Sequence, residues 1–409
     1  MKKVILNAVM ASMVFCINAC NKENITQSAS PFKPIELTVK QTKKANADNC
    51  FAFNMFKEVS ALSENTNTFF SPLSLNMALG MLYNGASGET RTEMAEVLDM
   101  ADFTETEINE YYQKLSQALL NIDPLTDISI ANSIWYRDGY PVKQPFINVN
   151  QKYFDAMVRA LDFNRSDAAD IINKWCADKT KDRITEIIEN SIPDDVIMYL
   201  INALYFKSQW QFEFDKTQTK LDDFTKVGNQ IKKVNMMEQT TTLPYYADQH
   251  LQCVEMPYGN QAFSMVAILP AYNQDIDQLI DYLDNTVWRN IIDNLREQNV
   301  RLKLPRFKVE CELPLNKPVW NVGMKRIFGG GFANISNGPL AVSNIKQKTF
   351  VEVNEEGTEA AAVTVIEMRE LSNSGTSIPF FANRPFLYLI KEKSTGTILF
   401  IGRMDEPNE

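Results

Sequence analysis

The hydrophobic pattern changes period along the chain. CFAFNMFKEVSAL sets Phe51, Met55, Val59 and Leu62 at helical spacing. SPLSLNMALGMLYNGA follows; it opens on Ser71-Pro72, a helix start, and is apolar nearly all round, which predicts a buried helix. GETRTEMAEVL and TEINEYYQKLSQALL are more polar and predict surface helices. ISIANSIWYRD alternates as a strand does, whereas PFINVNQKYFDAMV and DAADIINKWCADKTKDRI return to the helical period. VIMYLINALYFKSQW is an almost unbroken apolar run, the pattern of a central strand covered on both faces. VNMMEQ, LQCVEMPYGNQAFSMVAILPA and VRLKLPRFKVECELPL are strand-rich, and FANRPFLYLIKEKSTGTILFIGRM closes the chain as two apolar strands around a Thr-Gly turn. Together these elements predict an α+β fold.

One stretch departs from its neighbours: Phe350–Ser372, FVEVNEEGTEAAAVTVIEMRELS. As a strand, it carries Thr358, Ala360, Ala362, Thr364, Ile366 and Met368 on one face, and Glu359, Ala361, Val363, Val365, Glu367 and Arg369 on the other. Every charge from Thr358 to Arg369 falls on a single face, so the other is suited to a core. Its first four residues are too small to hold a core alone, and LSNSGTS beyond has loop composition. The pattern predicts a strand kept out of its sheet.

Composition narrows the chemistry. Of 409 residues 45% are hydrophobic, 24 of them Phe, which is ample for a deep core, and the net charge of −10 argues against nucleic acid or an anionic membrane as partner. The single histidine, His250, leaves room for no His-pair metal site, and for no serine–histidine triad unless it is itself the base. The six cysteines, at 16, 20, 50, 176, 253 and 311, form no C-x-x-C; buried free thiols are the favoured reading, with pairing left open. The first residues, MKKVILNAVMASMVFCINAC, have two lysines and an apolar run too short to span a membrane. They resemble a bacterial lipoprotein signal, residues 1–19, cleaved before a lipid-bearing Cys20; an ordinary secretory peptide is the alternative, and either takes the protein out of the cytoplasm. Residues 20–46 are polar with two prolines and predict a flexible tether, leaving one domain over 47–409.

EVNEEGTEAAAVT resembles the hinge of the reactive-centre loop of serpins, the serine-protease-inhibitor superfamily. FFSPLSLNMALGMLYNGASGETRTEMAEVL, the apolar strand ending in Trp210, and the closing NRPF and TG-x-ILF-x-GR words, at Asn383–Phe386 and Thr395–Arg403, are similar to the same family, so that the resemblance covers nearly all of residues 50–405. It implies helices packed around a large mixed central sheet, smaller additional sheets, and an exposed reactive-centre loop at about 357–380. It also implies a protein that is no enzyme and needs no cofactor or metal, but is a consumed substrate. A target serine protease, or a cysteine protease, cleaves the loop and becomes an acyl-enzyme, and the freed hinge inserts into the sheet. About 14 residues at ~3.3 Å make roughly 45 Å of new strand. A dozen hydrogen bonds at ~1 kcal/mol add roughly 12 kcal/mol, comparable to a whole domain's stability.

By this resemblance the hinge is Glu355, Glu356, Gly357, Thr358, Glu359, Ala360, Ala361 and Ala362. Its small uncharged residues can be buried without a desolvation penalty, where a non-inhibitory relative would carry bulky, charged or proline residues. Counting seventeen residues from Glu355 puts the reactive bond at Leu371–Ser372; counting back from NRPF puts it at Ser374, and Arg369 and Met368 are alternatives. Ser71, Ser74 and Asn202 match the polar shutter beneath the central strands, with Gln347 in place of the usual histidine, and Trp210 matches the aromatic cap of the slot. Around residues 88–120 only Arg91 and Lys114 are basic, which argues against glycosaminoglycan activation. The resemblance suggests a monomer. The second function class is a non-inhibitory serpin serving as a binding or carrier module; the third, a hydrolase, would need a base that His250 hardly supplies. Anchoring is tested at Cys20: Cys20→Ala should abolish lipidation and release the protein from the membrane fraction, and a variant still membrane-bound after a high-salt wash would show the lipoprotein reading to be wrong.

Overall fold

A helix without a polar face has to be covered on every side, and the segment after Ser71-Pro72 is. The computed structural model describes residues 32–62, 66–189, 191–358 and 376–409. Its helices are α1 (Val39–Leu62), α2 (Pro72–Tyr83), α3 (Gly88–Val97), α4 (Glu105–Leu119), α5 (Gln144–Phe154), α6 (Ala168–Lys179), α7 (Ile276–Tyr282), α8 (Asn285–Asn294) and α9 (Asn316–Asn321). The strands of the first half are β1 (Thr68–Phe70), β2 (Thr126–Arg137), β3 (Met157–Leu161), β4 (Met198–Gln209), β5 (Lys220–Thr225), β6 (Ile231–Ala247), β7 (Leu251–Pro257) and β8 (Phe263–Pro270). Those of the second are β9 (Arg296–Pro305), β10 (Phe307–Pro314), β11 (Lys346–Val353), β12 (Gly357–Thr358), β13 (Ile378–Phe381), β14 (Phe386–Glu392) and β15 (Ile398–Met404).

Among the described residues the strands form two sheets. One is mixed and six-stranded, in the order β10-β11-β12-β4-β2-β3, with β2 and β3 parallel and the other pairs antiparallel. The other has nine strands along β1-β15-β14-β8-β7-β6-β9-β13, with β5 on β6. The smaller sheets expected beside the central one are continuous here because β6 is 17 residues long; it pairs with β5 and β9 along its length and with β7 at its far end. Helix α2 lies between the two sheets, against β4 and β15, and eleven of its twelve residues are buried. The opposite face of the six-stranded sheet is covered by α6, through Trp135, Leu161, Phe163, Ile172 and Ile201. Strands β8, β14 and β15 are buried at every position, Ser264, Lys391, Glu392 and Arg403 included among their mostly apolar residues.

Several boundaries differ from the sequence reading: the helix read through DAADIINKWCADKTKDRI ends at Lys179, the loop expected to about 380 is strand from Ile378, and two others change the packing. The tether expected through residue 46 ends earlier, because α1 begins at Val39 and already buries Lys44 and Ala45. Its polar composition concealed an internal pair: Lys44 and Asp48, one turn apart, form a buried ion pair, the Tyr112 hydroxyl donates to Asp48 at 3.2 Å, and Lys44 lies over the Tyr112 ring. Lys40 and Lys43 then pair outward with Glu107 and Asp102 at 2.6 and 2.5 Å. The second difference is the helix read through PFINVNQKYFDAMV, which stops at Phe154: Asp155 is left-handed (φ 48°), and β3 starts at Met157.

Candidate functional site at the junction of β4 and β11

Strand β11 ends at Val353 and the chain turns back at once. The Asn354 N–H donates to the Gly357 carbonyl at 3.0 Å, and its Oδ1 accepts from the N–H groups of Glu356 and Gly357 at 3.0 and 3.3 Å. Gly357 and Thr358 then enter the sheet as β12, opposite Gln209 and Ser208 of β4 on one side and, through Thr358, opposite Val353 of β11 on the other. A Cβ on Gly357 would sit 2.1 Å from the Ser208 carbonyl oxygen and 2.7 Å from Gln209 Cα, backbone that cannot step aside. This close approach is what requires glycine. Thr358 is 2% exposed and shares a hydrogen bond with the Tyr258 hydroxyl. The strand expected to stand outside its sheet is therefore paired within it at Gly357 and Thr358, the part of the hinge strand that is described, and Thr358, expected on the uncharged face, is buried. Among the described residues β4 and β11 are joined only through β12.

The turn is fastened by groups from three directions. Glu355, 2% exposed, accepts from Arg306 Nε at 2.8 and 2.9 Å and Nη2 at 2.6 Å, and from the Thr219 hydroxyl. Arg306 stands at the corner between β9 and β10, where Pro305 and Phe307 fix the bend. Burial works against an ionised Glu355, but the hydrogen bonds from Arg306 and Thr219 prevail and hold its carboxyl below the usual value. Glu356 pairs with Lys216, and neighbouring Glu213 is pushed up, first by burial and then by Glu356. From the end of β4, Trp210 Nε1 donates to the Asn354 carbonyl at 2.9 Å and its backbone N–H to Glu356 at 2.8 Å, while the Phe214 N–H donates to Glu355 at 3.0 Å. The Trp210 ring stacks on Tyr258 at 4.4 Å. Trp210, Glu355, Glu356, Gly357 and Thr358 thus form one cluster.

A second cluster lies eight residues down β4, about 26 Å away at ~3.3 Å per residue. Ser71 caps α2: its hydroxyl accepts from the Ser74 N–H at 3.2 Å and donates to the Leu399 carbonyl at 2.8 Å. Gln347, on the core face of β11, accepts from the Ser71 N–H at 2.7 Å and donates to its carbonyl at 3.0 Å. Ser74 donates to the Asn202 carbonyl at 3.3 Å, and Asn202 Nδ2 donates to Asn132 at 2.7 Å. The four expected shutter residues meet, although Gln347 reaches β4 only by way of Ser71 and Ser74. The Asn202 Oδ1 is buried with no partner among the described residues.

The remaining candidates divide plainly. Glu359, Ala360, Ala361, Ala362, Met368, Arg369, Leu371, Ser372 and Cys20 lie outside the described residues. His250 stacks on Tyr282, and its ring nitrogens meet Gln249 and Gln274 at 3.0 Å each, with neither nucleophile nor carboxylate on them among the described residues. Cys50, Cys176, Cys253 and Cys311 are free, and burial pushes the Cys176 thiol up to about 12. Sequence reasoning missed Arg306, Thr219 and Tyr258. A lone arginine in the Pro-Arg-Phe corner between two alternating strands was the available signal for the first; nothing comparable marks the others.

Three expectations follow for the hinge. Because Glu355 titrates below an unfolded glutamate (about 4.3), its contribution is complete above that value and is lost as the pH falls through the folded one. Glu213 has the opposite sign, its ionisation disfavoured in the fold. Glu355→Gln should cost about 2 kcal/mol at neutral pH and flatten the acid limb of a stability–pH curve; an unchanged limb would remove Glu355 as its source. Thr358→Val should leave the Tyr258 hydroxyl buried without its partner and cost about 1–2 kcal/mol, with Thr358→Val and Tyr258→Phe together costing less than their sum. Additive losses in denaturant melts would show that the bond contributes nothing. Thr358→Arg would place a charge in a site already closed and should lower the stability of the uncleaved protein itself.

The family model described as "Serpin (serine protease inhibitor)" matches residues 46–407. An uncharacterized serpin-like protein of Thermococcus kodakarensis is 34% identical over 371 residues, covering 89% of this chain and 86% of the relative. The native state of tengpin, a thermophilic serpin, superposes with a TM-score of 0.83 at 30% identity, covering 92% of this chain and 97% of that one. Thyroxine-binding globulin in complex with thyroxine follows at 0.81 and 26%, covering 90% and 100%. A match over this length, with the hinge turn seated between the two strands that the fold requires, leaves one assignment: the chain belongs to the serpin family.

Proposed function

We propose that the protein inhibits serine endopeptidases outside the cytoplasm as a substrate consumed by its own cleavage. The observation that supports it best is β12, two residues of hinge already seated between β4 and β11, with glycine where no Cβ fits and a small hydroxyl where the side chain is enclosed. A strand begun in this way is placed to continue, and the residues next in line, Ala360, Ala362 and Thr364 on the same face, are small and uncharged. The protease serine attacks the Leu371 carbonyl, the bond to Ser372 breaks, and the Ser372 amine leaves protonated with the C-terminal segment. Leu371 is then held as an ester on the protease. Insertion of the hinge competes with hydrolysis of that ester, and the faster process decides between trapped protease and cleaved inhibitor.

The same reading places the chain on a lipid at Cys20, in the periplasm or at the cell surface, as a monomer. Leu371 suits the apolar primary pockets of chymotrypsin-, elastase- or subtilisin-like enzymes. Incubation with chymotrypsin should give a covalent complex stable on denaturing gels and a released peptide beginning at Ser372. Leu371→Arg should move inhibition towards trypsin-like enzymes. Unchanged rates against chymotrypsin would refute Leu371 as the specificity residue, with cleavage after Arg369 or Met368 naming its replacement. Cleavage without any covalent complex would favour the carrier reading instead.

A further inference from the structure

Beyond Trp210 the chain borders a cleft lined by Gln211, Glu255, Gln261, Ser264, Glu297 and Lys393. Its wall holds an unusual group. Glu255 is 7% exposed, and its Oε1 accepts both from the Ser264 hydroxyl at 2.6 Å and from Lys391 Nζ at 2.9 Å. Oε2 has no hydrogen-bond partner among the described residues. Burying a carboxylate demands that both oxygens be compensated, and here one half of that demand is left facing a cleft. Glu297 and Lys393 are exposed and add one charge of each sign. Phe212, Pro244 and Pro257 supply apolar wall beside these charges, and an ion of either sign would meet repulsion from one of the two exposed groups.

The geometry points to a binding site for a small zwitterion of the amino-acid or dipeptide class, its ammonium group taken by Glu255 and Glu297, its carboxylate by Lys393, and its occupancy tightening the segment that holds the hinge. The coupling is short. The Gln211 N–H donates to the Pro257 carbonyl at 2.9 Å and the Gly259 N–H to the Gln209 carbonyl at 2.9 Å. These bonds bracket Trp210 and Tyr258, the stacked pair that holds Asn354 and Thr358. A ligand bridging Gln211 to β7 and β8 restrains that pair and hence the turn. The binding stands apart from the inhibitory reading, and its test uses no protease, so failure of either leaves the other standing.

The full-length protein is titrated calorimetrically with L-alanine and with glycylglycine, which separate the two charges differently; ethylamine and acetate serve as single-charge controls. At least one zwitterion should saturate with a Kd of about 1 mM or tighter, and the controls should bind about tenfold more weakly. Lys393→Ala and Glu297→Gln, both on the exposed rim, should each weaken binding about tenfold, and Glu255→Gln should abolish it; the rim variants decide the matter if Glu255→Gln fails to fold. Hydrogen exchange of the Trp210 and Phe214 amides, which donate to Glu356 and Glu355, should slow in the bound protein. Neither zwitterion saturating, equal binding of the controls, or full affinity in both rim variants would overturn the site. Saturable binding with unchanged exchange at those amides would overturn the coupling.

Discussion

The buried carboxylate of Glu355 is the constraint on which the rest of the site depends. Ionised and enclosed, it has to be met by donors, and Arg306 and Thr219 meet it from two different parts of the nine-stranded sheet and its connections. Those bonds fix where β11 ends and the direction in which the chain leaves it. Once Glu355 is fixed, Asn354 closes its own turn, Glu356 is carried to Lys216, and Gly357 is pressed against the backbone of β4. Each contact is modest alone; their value lies in acting on four consecutive residues, so that loss of the first loosens the others.

Strands β4 and β11 are therefore governed from two places. At one end the turn and the Trp210–Tyr258 stack fill the space between them. At the other, Gln347 ties β11 to the start of α2, and Ser74 ties α2 to β4. The pair of hydrogen bonds between the Gln347 amide and the Ser71 backbone is neutral and uses one donor and one acceptor of the amide, so it does not titrate near neutrality. The titrating groups are concentrated at the turn. Acid consequently acts on the entry to the sheet and not on its floor.

Much of the scaffold was legible because it rests on periodicity and burial. The nearly all-round apolar surface of α2, the largely apolar runs of β4 and β14, and the alternation that sets Thr358 on an inward face each follow from side-chain spacing alone. What escaped is what polar residues do at a distance. Lys44 and Asp48 look like the charges of a solvated tether, and only the fold shows that they neutralise each other inside α1. Arg306 looks like an edge-strand cation until Glu355 is placed opposite it. Of the alternating hinge positions Thr358 is described and is buried, but pattern cannot say what the strand meets there; that is decided by the Ser208 backbone and the Tyr258 hydroxyl, which belong to elements far away in sequence.

The seating of Gly357 and Thr358 also bears on the insertion step that the proposed inhibitory function requires. Adding a strand to a sheet is slow chiefly in its first pairings, which fix backbone conformation before neighbouring bonds repay it. Here those pairings exist on both sides of β12. Among the described residues β4 and β11 pair with each other nowhere along their length, and the bonds that tie them lower down run through Gln347, Ser71, Ser74 and Asn202. Under the proposed inhibitory function the upper cluster aims the hinge into the sheet and the lower one holds the sheet's floor. A change in either would then give the same loss of inhibition, but only a change in the lower one should leave the hinge turn, and the proton binding of Glu355 with it, undisturbed.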